Sequence, residues 1–505
     1  MASHGSLTVT ELHSRVAFGT RLRARTERGW EAARSAFGWK PLLIVLALGV
    51  IVRVYALVTY EPAWLMSVDS IRYARIAPPG PFDDVWAPAG YPAFLALFRQ
   101  ISNNLSFTIA VQHLLGIASA LLVFATVRRV APRWVALVPA AVLLLGGDYI
   151  FLETTLLAES YMTFLICAAL YAAIRALDDP HPLAWLASAS FLGGMAALAR
   201  SNALVIPVVV ALWALIVFHG PLLRRGVVLA ASLIPAAALI AIYAVVATSG
   251  GHFAGLTDEA NLDLYSRVAP FADCNKFDPP AGTERLCQST PPSQRPSTFW
   301  YAWDPTSPGR TNFGGMDPRT NGPLGKWARA AIVGQPFAYA KAVTKDMVRY
   351  IDPSVGNRSV YAGVASDAWG FGTRDAQLEQ TVGSQIAKRY DGVLPMHTPG
   401  RNALEAYQTS TRLGGLFIAL FSVLTILGVI VARGKTRIVL ALFAVVAFVL
   451  YLGPVLTFSY SLRYGVPPQA LLSGAAAMGT WALARRMPDT RLVRGREGAW
   501  QAPLQ

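Results

Sequence analysis

The chain is short of charge and shorter still of lysine. Asp, Glu, Lys and Arg make up only 14% of its 505 residues, against about 25% in soluble domains. Lysine occurs 7 times and arginine 37 times. Three cysteines are too few for a disulfide scaffold. The seven histidines are scattered, with no His/Cys/Asp cluster at metal-ligand spacing. So little charge excludes a disordered chain. Polar and apolar residues do not alternate as in a membrane β-barrel. There is no internal repeat, and no matched pair of interrupted apolar runs of the kind inverted-repeat transporters carry.

What the chain has in abundance is apolar sequence: 54% hydrophobic residues and a mean hydropathy of +0.42. Apolar runs fall at 41–60, 105–127, 133–151, 155–174, 182–199, 203–218, 226–248, 412–432, 438–457 and 465–484. A helix needs about 20 residues to cross ~30 Å of hydrocarbon. Backbone groups in lipid must be paired within the segment, so the runs predict helices. The expected fold class is an all-α polytopic membrane protein of about ten spans. The net charge of +15 then serves to orient the chain in the bilayer rather than to bind nucleic acid.

With the N-terminus in the cytoplasm, each short-loop cluster of Arg and Lys falls on that same side. These are Arg128, Arg129 and Arg133; Arg175; Arg224 and Arg225; Arg433, Lys435 and Arg437; and the tail from Arg485. The expected organisation is a basic cytoplasmic arm (1–40) and a transmembrane core (41–248) with an outer loop at 61–104. An extracytoplasmic insert (249–411), C-terminal spans (412–484) and a cytoplasmic tail (485–505) follow. About 40 polar, Arg-rich residues precede the first apolar run, which argues against a cleavable signal. The insert is rich in Pro, Gly, Trp and Asn. It reads as an α+β or loop-rich unit with helices near 323–350 and 375–391. If it lies outside the cytoplasm, Cys274 and Cys287 can bridge. Cys167, inside an apolar run, reads as an inert buried thiol.

The first outer loop is unusual. Asp69-Ser-Ile-Arg72-Tyr73-Ala74 is followed by Asp83-Asp84 and by Pro88-Ala-Gly90-Tyr91-Pro92. The stretch 69–77 predicts an interfacial helix with Ile71, Tyr73 and Ala74 towards lipid and Asp69 at its N-terminal end. Residues 91–98 are too short to span and predict a second interfacial helix.

Arg53 in the first span, the Asp-x-x-Arg-Tyr-Ala motif and the Pro-x-Gly-Tyr-Pro motif, in this order, resemble the GT-C superfamily. These are integral-membrane glycosyltransferases that use polyprenyl-phosphate sugars, with the aminoarabinose transferases and protein O-mannosyltransferase-like enzymes as nearest subgroups. The resemblance covers residues 40–205 and 455–475, not the insert. It implies that Asp69 is the catalytic base, drawing the proton from an acceptor hydroxyl. It implies donor phosphate contacts from Arg53, Arg72, Tyr73, Arg200 and Arg463, because a guanidinium fork matches phosphate oxygens. Glu159 best matches a second acid, with Glu153, Asp148, Asp83 and Asp84 as alternatives. Such an acid could orient the acceptor, bind a divalent metal with Asp69, or raise the base's pKa by like-charge proximity. The Asp83–Asp84 pair also reads as a turn. Many relatives carry Lys or His before the loop proline, where this chain has Ala87, so the sugar stays open between arabinose and mannose types.

The implied activity is inverting transfer from a polyprenyl-phosphate donor to an envelope glycan, lipid or protein on the outer face of the plasma membrane. Two alternatives remain at this stage: a lipid-linked-sugar flippase, and a non-catalytic envelope assembly protein. In the insert, Phe299-Trp300-Tyr301-Ala-Trp303 reads either as a sugar-stacking patch or as a small core.

Overall fold

A computed structural model describes residues 38–65, 67–76, 82, 86–249, 255–257, 259–314, 320–354, 370–371, 389–391 and 400–486. Most of the basic arm, Asp83, Asp84, most of the expected helix 375–391 and most of the basic tail lie outside the described residues. The chain divides into the units Met1–Ala47 and Leu48–Gln505. The described part of the first contains the opening of helix Lys40–Thr59.

The protein is a helical membrane protein, with no strand among the described residues. Among the described residues, six helices are long and apolar enough to cross a bilayer: Lys40–Thr59, Leu105–Val127, Pro182–Ala199, Leu222–Ser249, Arg401–Val431 and Gly434–Thr457. The pair Arg133–Leu145 and Gly147–Thr154, bent by 46°, makes a seventh if counted as one span. The other expected spans form shorter helices, Glu159–Arg175, Val205–Val217 and Gln469–Ala484, of 17, 13 and 16 residues. The expected ten therefore resolve into six or seven by length among the described residues. The shortfall has a local cause. The pairing of Thr155 with Trp64, a 3₁₀ turn at Ser201–Leu204 and the Pro467–Pro468 pair each delay the start of a helix.

Helix ends sort into two sets. At one, Arg129 donates to Asp178 at 3.4 Å and Lys435 pairs with the same carboxylate. Thr436 Oγ1 donates to the Val130 carbonyl at 3.2 Å. These contacts gather the basic loops around 128–133, 175–179 and 433–437. The opposite ends of the same helices lead to Glu159, to Leu105 and to the segment before Arg463.

Between Ser249 and Arg401 the insert has a core of its own. Leu262, Tyr265, Tyr301, Leu324 and Trp327 are each 0–1% exposed. Cys274 and Cys287 are joined beside it, with Cα atoms 5.9 Å apart. A loop of this size restrains the unfolded chain by about 3 kcal/mol. The single helix expected over 323–350 is two, Gly322–Gly334 and Pro336–Arg349. Pro336 has no N–H for a continuing ladder and begins the second. The insert docks on the end of Gly434–Thr457. Asp346 accepts from Arg267 at 2.5 Å and from the Tyr460 backbone at 3.3 Å, and Tyr339 donates to the Leu456 carbonyl at 2.8 Å.

Candidate active site

The loop after the first span is pinned before it reaches Asp69. Trp64 N donates to the Thr154 carbonyl at 3.0 Å, and Leu156 N returns a bond to the Trp64 carbonyl at 3.2 Å. Helix Ser67–Ile76 follows, with Asp69 in its first turn, where the helix dipole favours a carboxylate. Ser70 Oγ anchors it to the Leu156 carbonyl at 3.1 Å. Its Tyr73 and Ala74 do not face lipid as the sequence reading expected. They are 0% and 1% exposed, and the Tyr73 ring meets Tyr91 edge-on at 4.8 Å. A tyrosine beside an arginine gains more from a buried hydroxyl contact than from the interface: Arg200 Nη1 donates to the Tyr73 hydroxyl at 3.2 Å.

The second loop motif has its own reason for glycine. A Cβ on Gly90 would lie 2.4 Å from the Leu198 carbonyl oxygen. Only a bare backbone lets helix Gly90–Arg99 rest on the end of Pro182–Ala199, and this contact brings Trp86–Pro88 against Arg200. Gly90→Ala is expected to lower stability by about 1–3 kcal/mol, read as a lower thermal midpoint in detergent. An unchanged midpoint would mean that the approach is not needed.

Four of the sequence-predicted residues meet around one guanidinium. Arg463, on the short helix Leu462–Gly465, has a side chain 1% exposed. Its Nη1 donates to Asp69 Oδ2, while its Nε and Nη2 grip both oxygens of Glu159, the latter at 3.0 Å. Arg200 lies 3.6 Å from Glu159 and over the Tyr464 ring at 5.3 Å. Arg72, one turn after Asp69, is 3.6 Å from it. Burial alone would raise the Asp69 carboxyl. The guanidiniums of Arg463, Arg72 and Arg200 outweigh it and hold the group well below the usual carboxylate range. Asp69 is therefore ionised at any physiological pH. The side chains of Arg463 and Glu159 are each 1% exposed, whereas those of Asp69 and Arg72 are 21% and that of Arg200 is 15%. The buried pair sets the frame, and the other three are what an entering molecule can reach.

The remaining expected residues are placed elsewhere. Arg53 spends all five N–H donors inside the protein. Two go to Glu153 at 2.8 Å each, and three go to the carbonyls of Gly49, Leu143 and Leu144. No donor is left for the expected phosphate contact. Glu153 is closed in turn by Arg53 and by His113 Nδ1 at 2.9 Å, away from the expected acceptor role. Asp148 is held by Arg412 Nη2 at 2.9 Å and by Gln408 at 2.7 Å, at the junction with the insert. Among the described residues no group of three His, Cys, Asp or Glu side chains is placed to hold a metal ion.

The structure adds two acids that the sequence reading passed over. Glu259 and Asp263 open the first helix of the insert, Ala260–Val268, and face Arg72 and Arg200. Burial pushes the Asp263 carboxyl up to about 7, against the opposing pull of Arg200 and Arg72. Burial and the neighbouring Asp263 push Glu259 well above the ordinary range. A carboxyl whose folded pKa exceeds its unfolded value stabilises the fold fully below the unfolded value, here 3.8, and loses that contribution as pH rises through about 7. The thermal midpoint of the wild type is thus expected to fall more steeply than that of Asp263→Asn between about pH 5 and 8, with the variant the more stable at the upper end. Parallel curves would show that Asp263 titrates normally.

The described residues thus form a helical membrane protein with an acid–arginine cluster at a shared set of helix ends. Residues 87–249, about a third of the chain, match the family described as dolichyl-phosphate-mannose-protein mannosyltransferase. The match supports the resemblance to the GT-C superfamily over the segment it covers. No curated protein sequence matches the chain. Among solved structures, the archaeal oligosaccharyltransferase AglB from Archaeoglobus fulgidus, in complex with an inhibitory peptide and a dolichol-phosphate, aligns at 14% identity and a TM-score of 0.41 over 93% of this chain and 53% of that one. ArnT from Cupriavidus metallidurans, bound to undecaprenyl phosphate, aligns at 13% identity and a TM-score of 0.35 over 89% of this chain and 78% of that one. The chain thus spans about half the length of the archaeal protein.

Proposed function

We propose that the protein is an inverting glycosyltransferase that moves a sugar of arabinose or mannose type from a polyprenyl-phosphate donor to an acceptor hydroxyl. One observation carries the reading: a reachable, ionised Asp69 beside reachable Arg72 and Arg200, held in place by the buried Arg463–Glu159 pair. Arg72 and Arg200 bind the donor phosphate, and Arg463 positions Asp69. The acceptor oxygen attacks the anomeric carbon. Its bond to that carbon forms as the bond to the phosphate oxygen breaks, and the polyprenyl phosphate departs with the electron pair. Asp69 takes the acceptor proton. Three nearby guanidiniums lower its basicity, so the proton moves late, once bond formation has made the hydroxyl acidic. A single carboxylate base with no carboxylate nucleophile gives inversion.

The family match over residues 87–249 supports the donor class. The gathering of the basic loops at the other set of helix ends supports a cytoplasmic placement for them. This reading puts the site and the insert on the extracytoplasmic face of the plasma membrane. A flippase would use charged groups deep among the spans, and Arg53, Glu153 and His113 are such groups. Arg53 and Glu153 are closed on each other, on the neighbouring backbone carbonyls and on His113 Nδ1, while His113 Nε2 is buried without a partner among the described residues.

The test is direct. Purified protein in detergent is given decaprenyl- or undecaprenyl-phosphate pentoses and hexoses with saccharide and peptide acceptors. Free polyprenyl phosphate and a product of inverted anomeric configuration are expected. Movement of intact donor across vesicles with no bond cleavage would replace this reading with the flippase.

A further inference from the structure

Beside Arg200 lies a cavity of about 70 Å³ with one wall from the insert. Trp86, Pro88, Arg200, Asn202, Glu259 and Tyr464 line it. That space holds several waters, enough for the hydroxyl-bearing edge of a sugar ring with the rest lying outside. Asp263 follows Glu259 by one helical turn and lies on the same helix face.

The chemistry of the wall is specific. Burial raises both carboxyls, and a protonated carboxyl both donates and accepts hydrogen bonds, which is what a polyhydroxyl ligand uses. The aromatic side of the cavity continues outwards. The Trp86 ring lies 5.8 Å from Trp303, and Trp303 lies 6.2 Å from Phe299. These three side chains are half-buried, whereas Tyr301 of the same segment is fully buried in the insert's core. Within the segment Phe299–Trp303, Tyr301 thus belongs to the core, while the rings of Phe299 and Trp303 keep an accessible part. A track of half-exposed rings suits the apolar faces of sugar rings.

We propose that Glu259 and Asp263, with Trp86 and Trp303 leading to them, form the acceptor subsite, and that the acceptor is a neutral saccharide. Glu259 hydrogen-bonds acceptor hydroxyls and sets the angle at which the reacting one meets Asp69. This deepens the transferase reading and rests on it.

The experiment uses the full-length protein with a polyprenyl-phosphate pentose donor. The acceptors are a neutral oligosaccharide of arabinan or mannan type and a Ser/Thr-containing peptide. The wild type is expected to glycosylate the oligosaccharide. Glu259→Ala and Trp86→Ala are expected to raise the oligosaccharide KM at least tenfold while kcat at saturating acceptor falls less than threefold, and Glu259→Gln, which keeps a donor and an acceptor, is expected to recover part of the loss. A purely structural role would lower kcat and the thermal midpoint together and show no such split. An unmoved acceptor KM in Glu259→Ala, or preference for the peptide, overturns this inference and leaves the transferase reading standing. A wild type that cleaves no donor under any of these conditions removes both.

Discussion

Asp69→Asn is expected to lower the transfer rate by about 10²–10⁴-fold, the usual worth of a positioned general base, with little loss of fold. The reason lies in the geometry around Arg463. Its Nη1 gives a bond to Asp69, while its Nε and Nη2 remain on Glu159. An asparagine keeps the shape and a carbonyl oxygen to accept that bond, but it has no charge with which to take a proton. Donor affinity is expected to stay within a few-fold, since the phosphate is met by Arg72 and Arg200. Single-turnover transfer with labelled donor, alongside equilibrium binding of polyprenyl phosphate, separates the two quantities. Transfer by Asp69→Asn within threefold of wild type would show that another group takes the proton.

The largest effect on stability is expected at Glu153. Removing one partner of a buried ion pair leaves the other charged and unsolvated, at about 3–5 kcal/mol. Glu153→Ala strands Arg53, which is 2% exposed and has two of its donors on that carboxylate. It also opens a void beside Gly116, whose missing Cβ makes room for the carboxylate; a Cβ there would lie 1.9 Å from Glu153 Oε1. The double variant Arg53→Met with Glu153→Leu is expected to regain much of the loss, because two apolar side chains leave no buried charge. Thermal unfolding in detergent measures both. A single variant that unfolds at the wild-type midpoint would mean that Arg53 finds other partners. Activity of the double variant near the wild-type level would place this pair outside the chemistry.

Much of the cluster could be read from the sequence, and the reason is contrast. A charged residue beside a long apolar run stands out, so Glu159, Arg200 and Arg463 were visible as exceptions, and Asp69 was visible through the resemblance its loop motif carries. Which exceptions meet was not visible. Arg53 and Glu153 look as functional in sequence as Arg200 and Glu159 do. Only the fold shows that the first two spend their bonds on each other across 100 residues of chain. Glu259 and Asp263 were missed for the opposite reason. They lie in a polar segment where carboxylates are ordinary, and their interest comes from Arg72 and Arg200 across the fold. The only local signal was their four-residue spacing, which any surface helix can show. Span lengths misled where a helix starts late. The runs 155–174 and 465–484 contain enough apolar residues, but their helices begin at Glu159 and Gln469. The Gly334-Gln335-Pro336 break was legible, and the run 323–350 should have been divided there.

The insert holds its own hydrophobic centre and cross-link, yet its leading helix completes a cavity whose floor belongs to the membrane part. Such a layout separates two choices that evolution can vary independently. On the proposed reading, grafting a different insert onto the same spans would exchange one acceptor specificity for another and leave the donor site untouched, in the way an exchangeable tool head leaves the handle unaltered.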